Sequence, residues 1–510
     1  MLREKVGLHP VMVYLILCLI VIIISGFLSW FNVQATYKQM SIVTGEYQVT
    51  TEAITSLLSL SGLKYIFTNT VSNFANFAVL PHLIIILLGI GVMERSGFLK
   101  TFITLLTKKA KKNTVTLALV IICLASSIMG DLSYIVLIPL SALLFLYGKR
   151  NPAIGIVAAF AALTCGSGVS ILLTSNDSSL INTTLLNAHV LFPDYSINKF
   201  AFVGIMTLTF ILLAYIITAI TENVIAKRLP KYEFEEDEVE DELVLTKKKL
   251  KGLLLAAIAG IIYLIIFIYN IIPGLPFSGA LLDKNQVLYI DKLFSYDSFF
   301  TNGYVFIVAV FFVILGLCYG IGAKTIKNNK DFIEGLGHSL NEIGKILVMI
   351  FAAATFISIF KQSNIGNVVT VALANLIGGS SFSGLPLLIL LFFTALITTI
   401  VLPSSIAKYS ILATTAVPVL MNNGVSPEMV QVAFRFGESA TLGLTPIFAY
   451  FVVYLAYLEK YSQDHKNFKL SGAIKLQVPY AIVTALVLLV ILILWYIIGI
   501  PLGIKSGVAL

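Results

Sequence analysis

Five ionisable residues stand inside otherwise apolar stretches of the chain: Asp131, Asp177, Lys408, Arg435 and Glu438. An ionised side chain at the centre of a membrane helix costs about 2.5 to 3.5 kcal/mol on insertion scales, so such groups are kept where they pair, bind or carry an ion. The densest cluster is Arg435-Phe436-Gly437-Glu438-Ser439-Ala440-Thr441, followed by Thr445-Pro446. Arg435 and Glu438, three residues apart, share a helix face if the helix continues that far. Two chemistries fit. Either the pair merely neutralises both charges, or Arg435 grips a carboxylate with two hydrogen bonds while Glu438 titrates as a coupling site. Gly437 and Pro446 favour the second, because a helix broken there exposes backbone groups to a cavity.

In the first half, Gly166, Ser167, Gly168, Ser170, Thr174, Ser175, Asn176 and Asp177 fall on or beyond one helix end. Hydroxyls and amides at a half-helix end coordinate ions or polar head groups. The alternative is that Asn176 and Asp177 simply cap the next helix. Asp131 lies at a break in an apolar run, where even a loop residue would be desolvated, and is a candidate ion-coupling group. Lys408 either snorkels to the interface or pairs with a partner in its own hairpin or a bound solute. Tyr409 beside it reads as core or interface, or as one wall of an aromatic site. Ser405, in the same break, completes the candidate contacts.

The elements that must hold these residues are set by hydropathy. Of the 510 residues 58% are hydrophobic and 12% charged, with a mean hydropathy of +0.95. A soluble domain carries about 25% charge, so an ordinary cytosolic enzyme is excluded. Runs long enough to cross a bilayer core cover 10–31, 76–93, 153–174, 199–225, 252–272, 304–322, 340–360, 428–457 and 478–500. Two longer stretches, 114–147 and 382–421, are interrupted by small and polar residues and read as re-entrant hairpins, whose irregular tips need protein or water around them.

With the N-terminus cytoplasmic and both hairpins returning to their side of origin, 25 of the 34 lysines and arginines fall inside and seven outside. That asymmetry supports the arrangement and puts the C-terminus outside. The net charge of +8 is therefore topological, with no basic patch of the kind nucleic acid needs. The polar run 227–251, with its acidic segment 233–242, reads as a cytoplasmic linker between a first repeat, 1–226, and a second, 252–510. Tyr134 and Tyr409 are 275 residues apart, as are Pro152 and Pro427. The first hairpin enters from inside and the second from outside, so the repeat is inverted, as in secondary transporters.

Enzyme motifs are missing. The stretch Gly337–Lys345 has the wrong glycine spacing for a P-loop and Ile346 where a hydroxyl belongs. His9, His82, His189, His338 and His465 are scattered without HExxH, and Cys18, Cys123, Cys165 and Cys318 lie apart in apolar runs. No metal site, disulfide framework or cofactor is expected, beyond a coupling proton or sodium ion.

Taken in order, LGIGVMERSGFLK (88–100), GDLSYIVLIPLSALLF (130–145), the GSG…SND run (166–177), KQSNIGN (361–367), AKYSILATTAVPVLM (407–421), RFGESATLGLTP (435–446) and LWYIIGIPLG (494–503) resemble the AbgT family of p-aminobenzoyl-glutamate transporters. The resemblance implies a homodimer in a bacterial cytoplasmic membrane, each protomer with nine spanning helices and two opposed hairpins. It implies an elevator-like division into a dimer scaffold and a transport part. It implies proton-driven movement of p-aminobenzoyl-glutamate, or efflux of sulfonamide-like mimics of p-aminobenzoate that would confer sulfonamide resistance. By position, Asp177 matches the family's first-half aspartate, and Arg435 and Pro446 its second-half arginine and proline. Glu438 stands where the family has Asp, and Tyr409 where it has Trp.

The sequence is thus expected to encode an all-α polytopic membrane protein, a secondary transporter for an anionic small molecule. Gly166, Ser167, Asn176, Ser405, Tyr409, Arg435 and Pro446 are the expected substrate contacts; Asp131, Asp177 and Glu438 are the expected coupling groups. A sodium-coupled dicarboxylate carrier of the same inverted architecture is the alternative.

Overall fold

The computed structural model describes residues 8–40, 47–171, 173–234, 245–295, 297–341, 343–463 and 468–510. Arg3, Lys5, His465 and Lys466, and most of the acidic run in the expected linker, lie outside the described residues.

The chain opens with α1 (Pro10–Trp30), whose proline occupies the first turn and whose N-cap is His9. A two-stranded antiparallel hairpin follows, β1 (Gln34–Met40) and β2 (Tyr47–Ala53), in register from Gln34 opposite Ala53 to Met40 opposite Tyr47. It departs from the all-α expectation. Its strands alternate polar and apolar or β-branched residues, as in Gln48-Val49-Thr50-Thr51, a pattern too short and polar to register beside the long apolar runs. Then come α2 (Leu60–Ala75), α3 (Val79–Arg95), α4 (Phe98–Thr107), α5 (Lys112–Ala125), α6 (Leu132–Tyr147), α7 (Pro152–Cys165), α8 (Ser175–Ala188) and α9 (Val203–Ile220). The last passes through a π-turn at Thr221–Ile225 into the short α10 (Ala226–Arg228).

The second half holds α11 (Lys247–Ile271), α12 (Tyr289–Phe294), α13 (Phe299–Ala323), α14 (Asn329–His338), α15 (Ile343–Ser363), α16 (Ile365–Gly378), α17 (Gly384–Val401), α18 (Ser405–Asn422), α19 (Pro427–Thr441), α20 (Phe451–Lys460) and α21 (Leu470–Ile498). The protein is mainly helical, and nine helical runs among the described residues are long and apolar enough to cross a membrane. Seven coincide with expected spans. The other two, Lys112–Met129 and Gly384–Val401, are first arms of the two interrupted stretches.

The expected spans 153–174 and 428–457 are each broken. α7 ends at Cys165 and α8 starts only at Ser175; α19 ends at Thr441, and a 3-10 turn at Leu442–Leu444 and non-helical chain lead to α20. The second break therefore lies at Leu442–Tyr450 and not at Gly437, which sits within continuous helix. A Cβ at Gly437 would stand 2.3 Å from the Phe392 carbonyl oxygen, so glycine there allows α17 and α19 to approach closely. Each half thus presents the same series: two arms around a break, a proline-started helix of 14 or 15 residues, a break, and a short helix. Asn151 and Ser426 cap the two proline-started helices by accepting from Ala153 and Met429 backbone N–H groups.

The bases of the two interrupted stretches lie at opposite ends of α21. Near its start, Gln477 donates to the Val157 carbonyl on α7, and Tyr480 meets Thr221. Beyond its end, the tail bonds to Ser426, through Val508 and Gly507 carbonyls. Packing falls into two groups. One joins α1 and α2 to α15, and α3 to α13 and α14, with α11 on α13; the other joins α5–α9 to α16–α19 and α21.

Candidate functional site

The chain that leaves α7 at Cys165 comes to rest against α19. Gly168 N–H donates to Ser439 Oγ at 2.8 Å, and Gly168 C=O accepts from Arg435 Nε at 2.9 Å. A Cβ on Gly168 would stand 2.3 Å from the Arg435 carbonyl oxygen, so only glycine fits this approach. Arg435, 2% exposed, also donates through Nη2 to Ser170 Oγ at 2.8 Å and pairs with Asp177 Oδ1 at 2.7 Å. The other carboxylate oxygen of Asp177 accepts from Ser170 Oγ, Thr174 Oγ1 and Thr174 N–H at 2.7–2.9 Å. Thr174 and Asp177 form a reciprocal capping box that starts α8. Asp177 is therefore at once a helix cap and the partner of a buried guanidinium, joining the two halves through one ion pair.

Glu438 turns elsewhere. Although α19 is continuous through both residues, Glu438 pairs with Lys408 at 3.1 Å, not with Arg435. Ser405 Oγ lies 2.6 and 2.5 Å from the two Glu438 oxygens, and Lys408 Nζ donates to Thr399 Oγ1 at 2.6 Å. Lys408 does not snorkel; it is fully buried. The pair spans the break at Leu402–Ser404, with Thr399 before it and Ser405 and Lys408 after it, so the hairpin tip is fastened to α19. Tyr409 is also fully buried, its hydroxyl 2.8 Å from Thr184 Oγ1 and its ring against Phe434 with centroids 4.4 Å apart.

A cavity of about 630 Å³ lies where both interrupted stretches and both helix breaks meet, within the range of small-molecule sites. Asp131 and Gly130 reach it from the first tip, Ser404 and Ser405 from the second, and Gly166, Ser167 and Asn176 from the break after α7. Arg435, Glu438, Asp177, Tyr409 and Pro446 do not line it; they stand behind its walls. Ser170 and Ser405 are the links, since each lines the cavity and also touches one of the two buried ion pairs.

The AbgT transporter family model matches residues 4–510. The chain belongs to the AbgT family. That membership places it among multi-pass membrane transporters rather than enzymes, and gives no support to the dicarboxylate carrier. The p-aminobenzoyl-glutamate transport protein of Escherichia coli K12 is 27% identical over 97% of this chain and 93% of its own length. Among solved structures, the YdaH transporter of Alcanivorax borkumensis is 28% identical, covering 97% of this chain and 100% of that one at a TM-score of 0.48. MtrF of Neisseria gonorrhoeae, described with a class of antimetabolite efflux pumps, is 27% identical over 98% of both chains, also at 0.48.

This AbgT-family chain holds further buried or half-buried acids that hydropathy hid. Glu222, in the π-turn after α9, pairs with Arg150 at 2.7 Å and also contacts Thr116. Glu428, 1% exposed at the start of α19, accepts from the Tyr195 hydroxyl at 2.8 Å. Glu94, at the end of α3, accepts from Ser339 Oγ at 3.1 Å. All three stand close to a helix end, where a sequence reading assigns charge to water. Lys361, Asn364 and Asn367 also line the cavity. Their stretch carried family resemblance but no candidate role, because a lysine at the end of an apolar run reads as an interface residue.

Proposed function

We propose that the protein is a secondary active transporter of p-aminobenzoyl-glutamate and related aromatic carboxylates, with sulfonamide-like mimics as further cargo, coupled to the proton gradient across a bacterial inner membrane. The observation that carries this reading is the cavity bounded at once by both hairpin tips and both helix breaks. Irregular backbone at membrane depth is tolerated where it lines such a space. The substrate class follows the E. coli relative's name.

In this reading the segments 1–226 and 252–510 are inverted repeats joined by the linker 227–251, and the two stretches around 130 and 403 are re-entrant. The opposite ends of α21 at which their bases lie support that orientation. The group around α5–α9, α16–α19 and α21 moves, elevator-like, against the group around α1–α3 and α13–α15, which forms the scaffold of a homodimer. The two ion pairs act as clasps. Protonation of Glu438 releases Lys408 and Ser405 and frees the second tip; protonation of Asp177 frees Arg435 for a substrate carboxylate. Asp131, in the cavity wall, is the acid that solvent reaches directly.

The test is transport by the purified protein in proteoliposomes. An imposed pH gradient should drive accumulation of p-aminobenzoyl-glutamate, with the effect abolished by a protonophore. Accumulation that instead follows a sodium gradient at fixed pH overturns the proton assignment. Glu438→Gln and Arg435→Ala should each lose gradient-driven flux, and full flux in both removes their roles.

A further inference from the structure

The cavity described above has one cation among its lining residues, and it is not Arg435. Arg435 is already matched by Asp177 at 2.7 Å, and Lys408 by Glu438 at 3.1 Å, both behind the cavity wall. Lys361 lines the cavity and is exposed, and its side-chain ammonium has no hydrogen bond or ion pair among the described residues. Lys361 is therefore the cation that an anion in the cavity can engage without breaking an ion pair.

The local fold explains how a lysine at the end of an apolar helix comes to stand there. α15 ends at Ser363, and Asn364 takes a left-handed backbone conformation (φ 62°), which asparagine tolerates better than most residues. The Asn364 amide donates to Glu52 Oε2 at 2.7 Å and to the Ala53 carbonyl at 3.0 Å, and Ser363 C=O accepts from Thr55 N–H. The β-hairpin end thus pins the turn. Beyond it, a Cβ on Gly366 would lie 2.8 Å from the Val401 carbonyl oxygen, so α16 starts hard against the last residue of α17. The second tip follows at once, which brings Lys361, Asn364 and Asn367 to the same cavity as Ser404 and Ser405. Asn367 Nδ2 donates to Asn364 Oδ1 at 2.9 Å, holding both amides in place.

We infer that Lys361, presented on the Asn364 turn with Asn367 beside it, is the anion-binding subsite of the cavity and selects carboxylate-bearing over uncharged aromatic substrates. The inference rests on the substrate class proposed above. It also places the carboxylate contact on α15, a helix packed on α1 and α2, while the tips that close over the ring belong to the other group.

Equilibrium binding to the purified full-length protein in detergent tests it, with p-aminobenzoyl-glutamate and uncharged sulfanilamide as probes. Lys361→Gln should weaken p-aminobenzoyl-glutamate about tenfold, the size of one charge-assisted hydrogen bond in a hydrated site. Lys361→Arg should keep most of the affinity, and sulfanilamide should bind both variants as it binds the parent. Unchanged p-aminobenzoyl-glutamate binding in Lys361→Gln overturns the subsite while leaving the transporter reading intact. An equal loss for both probes also overturns it, by showing a general disturbance of the cavity. Absence of binding of either probe to the unaltered protein overturns the substrate class and the subsite together.

Discussion

At the scale of single residues, the two buried ion pairs have different surroundings and so different sensitivities. Arg435 and Asp177 satisfy each other within a set of Ser, Thr and backbone partners, so removing one leaves an uncompensated charge in a dry place. Arg435→Gln is expected to destabilise the folded protein by about 3–5 kcal/mol. The double variant Arg435→Gln with Asp177→Asn should lose less than the sum of the single losses. Denaturant unfolding in detergent measures both, and strict additivity would show that the pair does not act as a unit. Ser405→Ala removes one hydroxyl donor from Glu438 but leaves Lys408 in place. Its expected loss is smaller, about 1.5–3 kcal/mol, as for a hydrogen bond to a charged acceptor.

Elements of this fold are positioned by close approach at a few glycines. The irregular segment after α7 lies on α19 because Gly168 has no Cβ, and the same holds where Gly437 meets α17. Gly168→Ala should cost about 1–3 kcal/mol through overpacking and displace Ser170 from both Arg435 and the cavity wall. Gly472→Ala is the matched control. It lies in α21 with nothing near its added methyl group, so a gain of about 0.5–1 kcal/mol is expected from the better helix former. Thermal unfolding of the two variants side by side separates a packing constraint from a mere glycine effect. A Gly168→Ala protein as stable as its parent would mean that the segment does not depend on this contact.

For the whole molecule, the prediction concerns sidedness. If hairpin bases lie at opposite ends of α21, the β-hairpin and the C-terminal tail share the outer face, while the start of α5 and the end of α9 face the cytoplasm. In a cysteine-free background, single cysteines at Val49 and Leu510, both exposed, should react with an impermeant maleimide in intact cells. A cysteine at Lys231 should react only after permeabilisation. Labelling of Val49 and Lys231 from the same side would break the inverted arrangement. The rows of exposed Leu254, Ile258, Ile261 and Ile265 along α11 fit a helix turned to lipid, where apolar side chains need no protein partner.

Hydropathy and spacing alone determined that the chain is a polytopic helical membrane protein, that two stretches are interrupted, and where five of its charges fall within apolar runs. Those features are local: about 20 apolar residues in a row satisfy the bilayer by themselves, and a charge amid them is conspicuous wherever it ends up. The partners of those charges were decided only by the tertiary structure. Arg435 and Glu438 sit on one continuous helix, yet they bond to residues more than 250 and exactly 30 positions away, Asp177 and Lys408, because α19 is wedged between the two halves. The β-hairpin, the displaced second break, and the arrival of Lys361 at the cavity have the same origin. Each depends on contacts between segments distant in sequence, and side-chain spacing along a helix carries no information about what packs against its far side.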